Sequence, residues 1–439
     1  MRTVLAVVAF AFVAGVARAQ PAPPPPAPLP PGQAVSNLIP AGGGEPALLN
    51  GGKDVSQPLQ PVGPANVDPP KELPKPAEPV ANPVVDVKPE AKPAHGPLGP
   101  AWDDWELLYW WPKRQPVPVL ASGPNLRIGG DHFDSQPSAG GRFTFGRALN
   151  TAETFGYEAV YFFLGTRTFH QTARDFSGGS TPTFGLPYTN AATGAREILT
   201  LAQPGFSHSY LDASTSVRVQ GWEINTVANV VDDKHFKLNA LLGWRYFMVN
   251  EGVRIEQTQF RVADGGVIRT ADQFDAHNRF HGGQVGLHAD LRRGVVFCEL
   301  TAKVAFGQTY EVVKQEGATI FQPFGINGPV SRAIGGSGLY VQPSSAGRTM
   351  NGVFAVVPEG TIKFGFRIGD AGRVYLGYSF IYMSDAVRPG DQIDRTLNPA
   401  QIPLVSGAAP VLNPDRPLRL FNRSDFWTQG LTIGLETRY

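Results

Sequence analysis

A single cysteine, Cys298, in 439 residues excludes an internal disulfide, so any exported form of this chain is held together without covalent staples. Charge of one sign is missing too: Lys and Arg number 38 against 37 for Asp and Glu, a net charge of +1, which gives no global support for nucleic-acid binding or electrostatic steering. Charged residues make up only 17% of the chain. Beyond Val16 no apolar run is long enough for a membrane-spanning helix. Two catalytic signatures are also absent, H-E-x-x-H and G-x-S-x-G. What the chain does have is 50 glycines, 10% aromatics and many short alternating segments, the composition of a barrel in which every second residue meets lipid.

Aromatics are missing altogether from Gln20 to Pro100, which holds more than half of the 41 prolines and opens with an almost pure proline run, Pro21 to Pro31. Such a stretch cannot bury enough apolar surface to fold and favours extended polyproline geometry. Before it, Arg2, the apolar run Leu5 to Val16 and the small-x-small triplet Ala17-Arg18-Ala19 have the form of a secretory signal peptide. The expected organisation is therefore a signal peptide over residues 1–19, a proline-rich periplasmic tail over 20–100 and a barrel over 101–439. Lys53, Lys71, Lys75, Lys88 and Lys92 are spaced so that the tail could reach the cell wall or act as a passive tether.

From Trp102 onward, period-two alternation dominates. The ending Trp427 to Tyr439 carries Trp427, Leu431, Ile433, Leu435 and Tyr439 on one face, with Gly430, Thr432, Gly434, Glu436 and Arg438 on the other. A strand with an aromatic-bracketed apolar face and charges opposite fits an outer-membrane barrel, and a C-terminal strand of this kind suits recognition by the barrel-assembly machinery. Ten strands are expected, with twelve as the other count, near 105–111, 140–148, 154–166, 214–231, 235–259, 274–291, 295–313, 353–368, 374–384 and 426–439. Four tight connections (149–153, 232–234, 292–294, 369–373) alternate with five long ones (112–139, 167–213, 260–273, 314–352, 385–425). Short periplasmic turns and long external loops give this rhythm, and an even strand count puts both termini in the periplasm. The expected fold is an all-β, antiparallel, up-and-down transmembrane barrel, with Cys298 facing lipid near mid-strand.

Several stretches resemble a known family, the outer-membrane β-barrel porins numbered seven, of planctomycete type. They are Gly243-Trp-Arg-Tyr246 with Glu251, Asn278 to Gly286, Lys303 to Gly307, Val357-Pro-Glu359, Gly377 to Ser384, Val387 to Asp394 with Asn398 and Gln401-Ile-Pro403, and Asp425 to Tyr439. The resemblance covers about Trp102 to Tyr439 and implies an outer-membrane barrel.

Alternation puts Glu158, Glu223, Arg245, Glu299, Lys303, Glu359, Lys363, Arg367, Glu436 and Arg438 on the inward face. A lysine or arginine facing lipid at mid-membrane costs about 2–4 kcal/mol. The inward charges either line a selective pore or close the lumen as ion pairs, and a lumen of about ten strands favours closure by bulky side chains of mixed sign. Trp244, Tyr246, Tyr378, Tyr382, Trp427 and Tyr439 are expected in the aromatic girdles. His277 and His281 share a strand face without a third ligand. His132, near Asp131 and Asp134, and His208, between Ser207 and Ser209, are expected in external loops, which leaves a loop-built surface hydrolase as one alternative to a non-enzyme. Asp391 and Asp394 are too few carboxylates for a calcium cage and fit a turn set by Pro389-Gly390. No cofactor and no metal is expected. The expected function is structural or surface-interacting, with a narrow porin-like channel as the main alternative.

Overall fold

A computed structural model describes residues 100–130, 133, 136–175, 184–201, 206–261, 265–323, 332–402 and 415–439. The signal peptide and the proline-rich tail lie outside the described residues, as do Asp131, His132 and Asp134. In chain order the strands are β1 (Ala101–Pro112), β2 (Ala121–Gly123), β3 (Leu126–Ile128), β4 (Ser138–Ala148), β5 (Phe155–Asp175), β6 (Gly185–Asn190), β7 (Arg196–Thr200) and β8 (Phe206–Asp232). They continue as β9 (Phe236–Arg261), β10 (Val267–Arg293), β11 (Val296–Gln322), β12 (Arg332–Gly335), β13 (Gly347–Ile368), β14 (Gly372–Val387), β15 (Thr396–Leu397) and β16 (Arg423–Arg438).

Ten of these form a closed antiparallel ring, β1-β4-β5-β8-β9-β10-β11-β13-β14-β16, and β16 pairs back onto β1 from Trp102↔Arg438 to Pro112↔Thr428. Over its lower part, toward the tight turns, closure gives every ring strand a partner on both sides, as the hydrocarbon core requires. Tight turns join β4 to β5, β8 to β9, β10 to β11 and β13 to β14 at one end. Gly294 and Gly369 take φ of 64° and 63° there, a left-handed conformation open to glycine.

Along the lower half of the ring the alternation is lipid-out. Trp105, Leu107, Leu242, Val285, Leu287, Leu300, Phe364, Leu376, Ile433 and Leu435 are exposed, whereas Glu106, Arg245, Glu299 and Glu359 point inward and are buried. Beyond Met248 the pattern inverts. On β9, Val253 and Ile255 turn inward and are buried while Arg254 is exposed, and on β10 Phe274 and Ala276 do the same. An inverted strand is no longer in lipid; it encloses a core of the soluble type.

This inversion corrects three expectations. The connection expected over 260–273 is a hairpin whose strands run to Arg261 and from Val267, with the Arg261 amide donating to the Gly266 carbonyl at 2.8 Å. The stretch expected as loop over 167–213 contributes the upper parts of β5 and β8, so His208 lies on a strand rather than in a loop. The stretch expected as loop over 314–352 likewise extends β11 to Gln322, adds β12 beside it and starts β13 at Gly347; the rest of the long connections fold inward. β2, β3, β6, β7 and β15 form a small separate sheet, in which β15 runs parallel to β6. Its residues Ala121, Ile128, Leu186 and Leu397 share one buried cluster with Leu339, Tyr340 and Val341 and with the inward barrel residues Leu211, Ala213, Val253, Ile255 and Phe274. Each fully buried Val, Leu, Ile or Phe of the cluster contributes about 1.5–3 kcal/mol.

Candidate functional site: the barrel interior

Three strata of inward side chains occupy the ring. The lowest opens at the tight-turn end as a cavity of about 380 Å³, lined by His288 and by charged residues that include Glu158, Lys237, Asp290, Glu436 and Arg438. Arg373 gathers the acids on one wall, with Nη1 at 2.6 Å from Glu299 and 3.6 Å from Glu436 and Nη2 at 3.1 Å from Asp290. Arg438 lies 2.7 Å from Glu436, and Glu158 accepts from the Asn225 amide at 2.9 Å.

Above the cavity is a network that crosses the lumen. Arg245 contacts Glu359 and lies 3.1 Å from Glu223. Lys303 bridges the same two acids at 2.8 Å (Glu223) and 3.4 Å (Glu359). Arg142 joins Glu106 at 3.3 Å to Glu359 at 3.4 Å, and Lys363 reaches Asp104 at 2.6 Å and Glu106 at 2.7 Å. The Tyr375 hydroxyl contacts Asp104 as well, a reach made possible by Gly434, where a Cβ would stand 2.2 Å from the tyrosine ring. Asp104, Glu106, Glu223 and Glu359 are thus matched by Arg142, Arg245, Lys303 and Lys363, all nearly or fully buried. Buried charges persist when paired and hydrogen-bonded, because desolvation makes a lone one costly.

The third stratum is apolar. Leu108, Trp110, Phe162, Leu164, Val219, Phe247, Phe280, Val357, Ile381, Met383 and Phe426 pack together inside the ring. Over it, Arg388 holds Glu251 through two hydrogen bonds, Nε at 2.9 Å and Nη2 at 2.6 Å, and caps the Lys113 and Arg114 carbonyls. Asn278 grips the backbone of Val387 from both sides, donating to its carbonyl at 2.9 Å and accepting from its amide at 2.8 Å. Asp272 accepts three backbone amides, from Leu339 at 3.0 Å, Tyr340 at 3.2 Å and Val341 at 2.8 Å. These three side chains tie the inward-folded connections to the wall.

The residues singled out from sequence divide unevenly. Glu223, Arg245, Lys303, Glu359 and Lys363 meet in the crossing network, while Glu158, Glu299, Glu436 and Arg438 surround the lower cavity. Arg367 stands apart: it is exposed at the turn end and donates to the Gly294 carbonyl at 2.9 Å. Asp104, Glu106, Arg142, Asp290, Arg373 and Tyr375 were not singled out, although the same alternation marks them. Among the aromatics, Trp244 packs against Trp222 with ring centres 4.6 Å apart and planes tilted by 49°, Tyr246 lies 5.0 Å from the ring of His281, and Tyr382 pairs in register with Trp427. Tyr439 is at the opposite rim, and Tyr378 lies between the rims, opposite Leu431. Cys298 is the third residue of β11, opposite Leu291 and Phe364, and so sits near the turn rim rather than mid-strand, because β11 runs on far past the lipid. Asp391 accepts from the Ser424 hydroxyl at 2.9 Å, and burial pushes its carboxyl above the usual range. Asp394 accepts from the amides of Thr396 at 2.9 Å and Leu418 at 2.8 Å, which engages both of its oxygens.

A closed ring of ten antiparallel strands, apolar toward the outside over its lower half and charged within, defines an outer-membrane β-barrel protein. The family model described as "Putative beta barrel porin-7 (BBP7)" matches residues 118–439, and the chain belongs to that family. No curated protein matches the chain. Among solved structures, the outer membrane protease OmpT from Escherichia coli is similar at 9% identity and TM-score 0.37, over 77% of this chain and 97% of that one. A Pseudomonas aeruginosa FadL homologue is similar at 8% identity and TM-score 0.22, over 78% and 90%.

Proposed function

We propose that this protein is a non-conducting outer-membrane barrel with a structural or surface-interaction role, and that its three strata close the lumen. The observation that supports this most is the crossing network, in which Arg142, Arg245, Lys303 and Lys363 are each bound to acids on other strands. A conducting filter needs side chains that water and solute can reach, whereas these are nearly buried and held in ion pairs with one another. On this reading no catalytic residue, cofactor or metal is involved. The partners are outer-membrane lipid, the assembly machinery that reads the C-terminal strand and, for the proline-rich tail, the cell wall; export follows from the signal peptide. Planar-bilayer recording of the purified protein tests the proposal. The expected result is no steady single-channel current. Steady, ion-selective current would establish the narrow-channel alternative, and peptide or ester hydrolysis by the folded barrel would establish a surface hydrolase.

A further inference from the structure

The outward face just beyond the aromatic girdle is strongly one-sided. On the wall made by β8, β9, β10, β11 and β13, the girdle consists of Trp222, Trp244, Tyr246, His281 and Tyr310, whose rings contact one another in sequence. Directly beyond it, on the outward parity, stand Arg218 of β8, Arg279 of β10, Lys314 of β11 and Arg348 of β13. The registers put them within a narrow belt: Arg279 is opposite Tyr310, Arg218 is opposite Asn250, which faces His277, and Lys314 is opposite Arg348. Adjacent strands lie about 4.8 Å apart, so the belt is continuous across the wall.

Little on the protein balances this charge. Arg279 and Arg348 make no ion pair among the described residues, and Arg218 donates only to Gln220, at 3.3 Å. Lys314 has Glu316 at 2.7 Å and stands opposite Asp275, which accepts from Gln273, so of the four cations it is the one with acids beside it. Arg348 faces the like charge of Lys314 directly across the ladder while Asp275 and Glu316 lie on the Lys314 side, so an anion over Arg348 would relieve the repulsion there. On the opposite wall the corresponding cation, Lys113, is matched by Asp425 at 2.6 Å.

We propose that this wall binds a phosphorylated lipid of the outer leaflet, its acyl chains on the apolar band and its phosphates over Arg218, Arg279, Lys314 and Arg348. The position decides the occupant. The belt begins where Phe354 and Met350, 64% and 65% exposed, give way to Arg348 along β13, so the anion must arrive with a hydrocarbon body beneath it. Arginine forks suit phosphate oxygens, and basic side chains beside the headgroup layer are drawn to anionic lipid.

The test uses the full chain, folded in detergent and incubated with mixed micelles containing bisphosphorylated lipid A or, separately, phosphatidylcholine; bound lipid is counted by native mass spectrometry after washing. The wild type is expected to retain bisphosphorylated lipid A in preference to phosphatidylcholine. The triple variant R218Q/R279Q/R348Q should retain at least tenfold less while keeping heat-modifiable migration, and R279Q alone serves should the triple variant misfold. Equal retention by wild type and variant, or equal retention of phosphatidylcholine, overturns the proposal. So does full displacement by inorganic phosphate at matched phosphate concentration, which would mark a small-anion site.

Discussion

Arg388 and Glu251 form a two-point ion pair with both side chains essentially out of contact with solvent, and the pair joins a loop that follows β14 to the inner wall of β9. The same guanidinium lies 5.8 Å from the Phe426 ring centre and holds two carbonyls of the connection after β1. Four chain segments therefore converge on one side chain. Removing either partner strands the other charge in a buried site, so Glu251→Leu or Arg388→Met should each lower stability by about 3–5 kcal/mol. The double replacement Glu251→Leu with Arg388→Met should cost less than either single change. Thermal unfolding of the four proteins as a double-mutant cycle checks this; additive losses would mean the pair is not coupled.

Asp272 makes the anchoring of the 339–341 segment dependent on pH. It lies beyond the lipid band, where outward neighbours such as Arg269 and Gln273 are polar. Burial raises its carboxyl from 3.8 to about 6, against the opposing pull of three backbone amides. Because the closed state binds the proton more tightly than the open one, its contribution is fully present below about pH 3.8 and is lost as pH rises to about 6. Amide exchange of Leu339, Tyr340 and Val341, corrected for intrinsic rates, should quicken on the order of tenfold or more between pH 4 and pH 7. Asp272→Asn should flatten that dependence, and an unchanged slope in the variant would assign it to another group.

Cys298 reports on depth. It faces outward, three residues beyond the Gly294-Val295 turn and opposite Leu291 and Phe364. A nitroxide placed on it should be relaxed more by oxygen than by a charged nickel chelate, with a depth close to the periplasmic rim rather than the bilayer centre. A charged, membrane-impermeant maleimide should react with it only after unfolding. Fast labelling of the folded barrel would contradict the register of β11.

Much of the lower ring was legible because lipid imposes a strict rule, apolar out and charged in, so that β9 from Phe236 to Met248 announces both its type and its faces. The upper ring was less legible because the rule reverses there. Ala173, Leu211 and Ala213 turn inward against the folded connections, and a reading that expects lipid outside takes such stretches for loop. The interior shows a parallel limit. Alternation says that Lys363 points inward but not what it meets; its partners Asp104 and Glu106 are on β1, more than 250 positions away in sequence. Glu299 and Lys303, two inward positions apart on one strand, invited pairing with β13, yet Glu299 goes to Arg373 and Lys303 goes partly to Glu223 across the lumen. Distance along the strand is visible in sequence, whereas distance across the ring follows only from closure.

The crossing network separates a plug from a pore. Lys303 touches Glu223 and Glu359, and Glu359 in turn touches Arg142 and Arg245. Lys303→Ala removes one cation from a pair of buried acids, and Glu359→Ala removes the acid shared by three cations. Each variant should lower the unfolding temperature of the folded barrel, followed by heat-modifiable migration, by the equivalent of about 3–5 kcal/mol, because the charges left behind are desolvated and uncompensated. Lys303→Met, which keeps the length without the charge, should be about as costly as the alanine if the loss is electrostatic. Neither variant should show steady current, since the apolar stratum of Trp110, Phe162, Phe247 and Phe280 still fills the ring above the charges. Wild-type conductance whose ion selectivity shifts in Lys303→Ala and Glu359→Ala, with no loss of stability, would identify these residues as a filter instead.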